Sequence, residues 1–162
     1  MYPWLVWLHV IGGFGFILAH GASAAVAYRL RKERDLERVR ALLDLSSSTV
    51  AVLYASLLVM LIAGIVAGFL AKWWGMGWIW VSLVLTLAII VWMYLTVSRS
   101  YGNLRKAVGL PYMAGGRPQP AVEPASAEEI NAMLERGQPA LQTVVGFGGL
   151  VIILWLMMFK PF

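Results

Sequence analysis

Four long apolar runs, separated by polar stretches, set the plan of the chain. The first covers about residues 4–28 and contains no charged side chain. It stops at Arg29, Arg31, Lys32, Arg34, Arg38 and Arg40, interleaved with Glu33, Asp35, Glu37 and Asp44. In that mixed-charge stretch Leu36, Val39, Leu42 and Leu43 keep a helical period, which predicts a solvated extension or short helix beyond the apolar run. The second run starts near Ser46-Ser47-Ser48-Thr49 and reaches about residue 70. A short turn, Lys72 to Gly77, leads into the third run, about residues 78–97, which ends at Arg99. From Ser100 to Pro139 the character changes, and Leu110-Pro111 through Pro124, rich in Pro and Gly, predicts an irregular loop. Ser126 followed three residues later by Glu129 has the spacing of a capping box, so a short amphipathic helix is expected over about 127–136, ending at Gly137. The fourth run covers about residues 140–159.

Each run matches the roughly 20 apolar residues that a bilayer crossing requires. The pattern therefore predicts an all-α, up-down, integral membrane four-helix bundle, with residues 1–162 as one membrane domain and 98–139 as its large loop. Composition agrees: 13% of residues are charged, against about a quarter in a soluble domain. Mean hydropathy is +0.76.

The net charge of +5 matters through its placement. Eleven of the thirteen Lys and Arg residues fall in the first and third loops, leaving only Lys72 and Lys160 on the other side. The positive-inside rule then puts both loops in the cytoplasm and both termini outside. Seven of the eight tryptophans (Trp4, Trp7, Trp73, Trp74, Trp78, Trp80 and Trp155) lie toward the outer side, where indoles favour the headgroup boundary. Trp92 is the exception. Met1-Tyr2-Pro3-Trp4 lacks the basic n-region of a secretory signal, so the first run is expected to be retained. The absence of cysteine excludes disulfides, thiolate metal sites and cysteine nucleophiles.

No charged residue lies well inside a span, which argues against ion pumps and carboxylate proton relays. The ionisable groups that remain are His9 and His20, the two histidines of the chain, both in the first span. Eleven residues at about 100° each bring the second imidazole to within roughly 20° of the first, about 16 Å along the helix. Both should point the same way, and one face can serve two sites near opposite membrane surfaces. That is the layout of the ligand-bearing helix of a two-haem membrane cytochrome. Gly12, Gly13 and Gly15 follow His9, and Gly21 follows His20; they thin the helix so that a neighbour or a flat macrocycle can approach. Gly64-x-x-x-Gly68, with Gly146, Gly148 and Gly149, reads as plain helix packing.

By depth, Met157 and Met158 should lie near His9, and Tyr54, Met93 and Tyr94 near His20. A thioether can complete a haem iron opposite a histidine, and the two tyrosines can hydrogen-bond His20 or a ligand. The expected cofactor is haem b held at His9 and His20, with a metal ion or a quinone as the other ligands the histidines could take. The alternative for each histidine is a satisfied packing residue.

Other signatures are missing. Ala114-Gly115-Gly116-Arg117 lacks the Lys-Ser/Thr ending of a phosphate loop, and no carboxylate lies near either histidine to build a catalytic triad. The basic loop is expected to set topology and meet anionic lipid, not nucleic acid.

The stretch Trp7-Leu8-His9-Val10-Ile11-Gly12 through Tyr28-Arg29-Leu30-Arg31 resembles a group of small bacterial membrane proteins that includes copper-resistance-D-like proteins and HemJ-type protoporphyrinogen oxidases. The resemblance covers about the first forty residues and the four-span layout. It implies a four-helix core in the bacterial cytoplasmic membrane and b-type haem on a first-helix histidine, here His9. HemJ-type proteins also rely on a lysine inside a later span, which this chain lacks, so porphyrinogen oxidation is not expected. Nor does the outer turn, with Met76 as its one soft ligand, look like a copper importer.

Three functions follow. The first is a haem b-binding membrane protein with an electron-transfer role. The second is a non-catalytic subunit of a larger membrane complex, or a homo-oligomer, using its tryptophans and glycines as contact surface. The third is a small-molecule or metal transporter, for which the spans offer few polar groups beyond Ser23, Ser56, Ser82, Thr86 and Tyr54.

Overall fold

A computed structural model describes all of residues 1–162. Its long helices are α1 (Tyr2–Lys32), α2 (Leu36–Leu70), α3 (Gly77–Met93) and α6 (Pro139–Phe159), joined by the shorter α4 (Arg99–Ala107) and α5 (Ala127–Arg136). The helices of all four apolar runs are long and apolar enough to cross a membrane. Their outer faces carry Leu58, Ile62, Val84, Leu87, Val144, Val151 and Leu154, each more than half exposed. At most 22% of any apolar window is buried inside the chain, so those faces suit the apolar interior of a bilayer. This is a multi-pass, all-α membrane bundle.

Helix α1 packs along α2 and also touches α6, and α6 packs on α3. The close approaches therefore run α2, α1, α6, α3. Both termini and the α2–α3 turn meet at one end of the bundle. There the Trp78 N–H donates to the Phe162 carbonyl (3.2 Å), Lys160 Nζ lies 4.2 Å over the Trp73 ring, and Tyr2 packs edge-on against Trp73. Trp78, Ile79 and Leu156 are buried beneath.

The opposite, basic end has its own core. Val26 and Leu30 of α1, Val39 and Leu43 of α2, Leu104 and Val108 at α4, and Ile130 and Leu134 of α5 bury one another. Arg105 ties this cap together, donating to the Asp44 carboxylate (2.9 Å), Ser47 Oγ (3.0 Å) and the Leu43 and Pro111 carbonyls. Arg40 donates to the Val108 carbonyl at 2.8 Å.

The connections differ from the sequence reading in two places. Residues Arg99–Ala107, placed within the large loop 98–139 by the sequence, continue the third span as α4 through a π-helical turn at Tyr94–Ser98. Within the segment expected to be irregular, Tyr112–Ala114 (β1) pairs antiparallel with Arg117–Gln119 (β2). The reason is Gly115-Gly116: both have positive φ (59° and 76°), which a tight hairpin turn requires and glycine supplies without steric cost. The mixed-charge stretch, read as a solvated extension or a short helix, is the extension: it forms the end of α1 and the start of α2. The chain breaks only at Glu33–Asp35, and Asp35 caps α2 by accepting the Arg38 N–H at 2.9 Å. Ser126 caps α5 in the same way, accepting the Glu129 N–H at 3.2 Å.

Candidate functional site

Each histidine is seated on a glycine of a neighbouring helix. His9 lies against Gly64 of α2, where an added Cβ would come within 2.7 Å of Nδ1. The same nitrogen is 2.7 Å from the Met60 carbonyl. A carbonyl only accepts, so Nδ1 carries a proton and donates it.

His20 turns instead to α6. Its Nε2 is buried with no hydrogen-bond partner, and it abuts Gly146 together with Cε1. The methyl of Met93 reaches the same glycine from α3, within 3.0 Å of where a Cβ would stand. Phe16 stacks parallel to the imidazole at 6.1 Å and Phe147 lies tilted at 4.9 Å. Three helices thus bring an imidazole nitrogen and a thioether together in an aromatic surround. Met93 also immediately precedes the π-helical turn, a distortion common at functional sites.

The two imidazoles meet different neighbours. The stripe on α1 is shared, but α1 lies between α2 and α6, so the same stripe meets α2 at the level of His9 and α6 at that of His20. Tyr54 and Tyr94 do not bond His20: they are 49% and 56% exposed, on outward faces of their helices. Met158 is 72% exposed and Met157 packs beside Trp78 and Leu156, so His9 engages a methionine backbone, that of Met60, and no thioether.

The glycines after His9 make room for a helix. A Cβ on Gly12 would sit 2.8 Å from the Met60 nitrogen, and one on Gly15 2.6 Å from Ser56 Oγ, whereas Gly13 has only an ordinary 3.7 Å contact with Met60 Sδ. Gly12 and Gly15 therefore let α2 approach α1. Gly64 and Gly146, which read as plain packing in the sequence, are the seats of the two histidines. Their signal was spacing within their own spans, without any indication of what lay opposite. Of the polar groups that a transport path would need, Ser82 and Thr86 are spent locally, their hydroxyls donating to carbonyls of their own helix.

No group of three or more His, Cys, Asp or Glu side chains is placed to hold a metal ion. A protein-only site built from such ligands is therefore not present, whereas a haem iron asks the protein for one or two axial atoms. Compared with known proteins, the chain matches no family model, no curated protein and no solved structure.

Proposed function

We propose that this chain is a haem b-binding protein of the bacterial cytoplasmic membrane with a role in electron transfer, both termini lying on the outer side. The observation that carries this reading is the enclosed, unpartnered Nε2 of His20 beside the Met93 thioether on Gly146. A buried imidazole nitrogen without a partner is costly where no water can reach it. A bond to haem iron would satisfy it, and His20 with Met93 would hold the group as nitrogen and sulfur ligands.

His9 would hold a second haem, on different grounds. Its Nδ1–H is anchored on the Met60 carbonyl, the outer contact that fixes a ligating histidine's tautomer and orientation and raises its basicity. Phe16 and Phe147 flank His20 and keep water from it. When bound, haem b would supply one-electron redox chemistry at its iron. The chain would hold it through His20 and Met93, with Phe16 and Phe147 as an apolar surround and His9 fixed on the Met60 carbonyl.

Expression with haem supplied, followed by pyridine haemochrome quantitation of the purified protein, checks the reading. Haem retained in stoichiometric amount supports it. A well-folded protein that emerges free of haem overturns it.

A further inference from the structure

At the basic end the structure holds an open cleft of about 160 Å³, where α3 and α4 part from the α5–α6 joint. Its walls combine polar and apolar surface, and it sits where the apolar runs of α3 and α6 give way to the loops. Ser100 comes from α4, Arg136 from the end of α5, and Gln138 and Gln142 from the start of α6. Trp92 and Leu141 line its apolar side.

These polar groups are unspent. Arg34, Arg40 and Arg105 are each paired with a carboxylate, but Arg136 makes no ion pair and its guanidinium donates to nothing in the chain. The side chains of Ser100, Gln138 and Gln142 likewise have no partner, whereas the Thr96 hydroxyl is used on the Trp92 carbonyl. No Asp, Glu or His lines the cleft. An anion is therefore attracted without opposition, while a quinone would find no acid to protonate it on reduction. Trp92, the one indole away from the tryptophan-rich end, stands at the apolar side, where an acyl chain would lie.

We infer that this cleft binds the phosphodiester of an anionic phospholipid from the leaflet at the basic end. Arg136 contacts the phosphate as a charge-assisted donor, Ser100, Gln138 and Gln142 complete the donor set, and Trp92 and Leu141 cover the first part of a chain. A zwitterionic lipid offers the same phosphate but brings an ammonium, for which the cleft has no carboxylate.

Native mass spectrometry of the detergent-purified full chain tests this, by titration with phosphatidylglycerol, with phosphatidylcholine and with inorganic phosphate. One phosphatidylglycerol should bind ahead of any phosphatidylcholine. Arg136→Gln should weaken it about tenfold, the loss of one charge-assisted contact, while Arg117→Gln on the exposed hairpin should leave it unchanged. Far-ultraviolet circular dichroism establishes that both variants are folded. Equal binding to the Arg136→Gln and Arg117→Gln proteins overturns the site. Displacement of the lipid by equimolar inorganic phosphate would keep the phosphate chemistry but overturn its assignment to a lipid.

Discussion

His20 is held between helices by Gly146. A Cβ built on that glycine would lie 2.7 Å from the imidazole Cε1 and 3.0 Å from the Met93 methyl, so any larger residue must expel one or both. Gly146→Ala should therefore destabilise the protein by about 1–3 kcal/mol through overpacking. Gly148, two residues on, has nothing within 4 Å of its would-be Cβ. Gly148→Ala should be neutral or slightly stabilising, because alanine favours helix. Thermal melts of both variants in one detergent give the comparison.

A second pair separates close approach from composition. Gly12→Ala puts a methyl 2.8 Å from the Met60 backbone nitrogen, which cannot swing away as a side chain can. Gly13→Ala meets only the mobile Met60 sulfur at 3.7 Å. The first should cost about 1–3 kcal/mol and the second under about 1 kcal/mol, read from the same melts.

How much of this was legible follows from what lipid demands. Every span must supply its own apolar residues and backbone hydrogen bonds, so the four runs announce four helices. His9 and His20 stand out as the ionisable groups left inside. Their seats were not legible, because a helix that is apolar all round carries no stripe to say which neighbour it packs on. Only the order α2, α1, α6, α3 brings Gly64 under His9 and Gly146 under His20. The hairpin was half legible: Gly115-Gly116 is a turn signal, but Pro118 within so short a strand obscured it. Nothing in Tyr94–Ser98 foretells a π-helical turn.

At the basic end, Arg105 should matter more than any other cation. Its side chain is only 19% exposed and reaches Asp44, Ser47 and two carbonyls. Arg105→Gln should cost about 1–3 kcal/mol, since four acceptors, among them the carbonyl of buried Leu43, lose one charged donor. Hydrogen exchange should rise around Leu43–Ser47 and Gly109–Tyr112. Arg34→Gln removes an exposed pair with Glu135 and should cost under about 1 kcal/mol.

The break between α1 and α2 predicts a pH response. The Glu33 carboxylate accepts the Asp35 N–H at 3.2 Å and the Arg34 N–H at 3.0 Å, which hold it below the usual glutamate value. Lowering favours the ionised form in the folded chain, so this support is present above the unfolded glutamate value and fades as pH falls through the folded one. A carbon-13 titration of the Glu33 carboxyl should place its midpoint below that of a free glutamate. A midpoint at or above the free value contradicts the cap.

The most direct test of the central claim is the reduced-minus-oxidised visible spectrum of the purified protein beside its His20→Ala and His9→Ala variants. The account predicts a b-type signal in the parent, and its loss or marked reduction in His20→Ala, with circular dichroism unchanged. His9→Ala should remove the part contributed by a second haem. A colourless, folded parent protein from cells supplied with haem, or a spectrum indifferent to both substitutions, would contradict it.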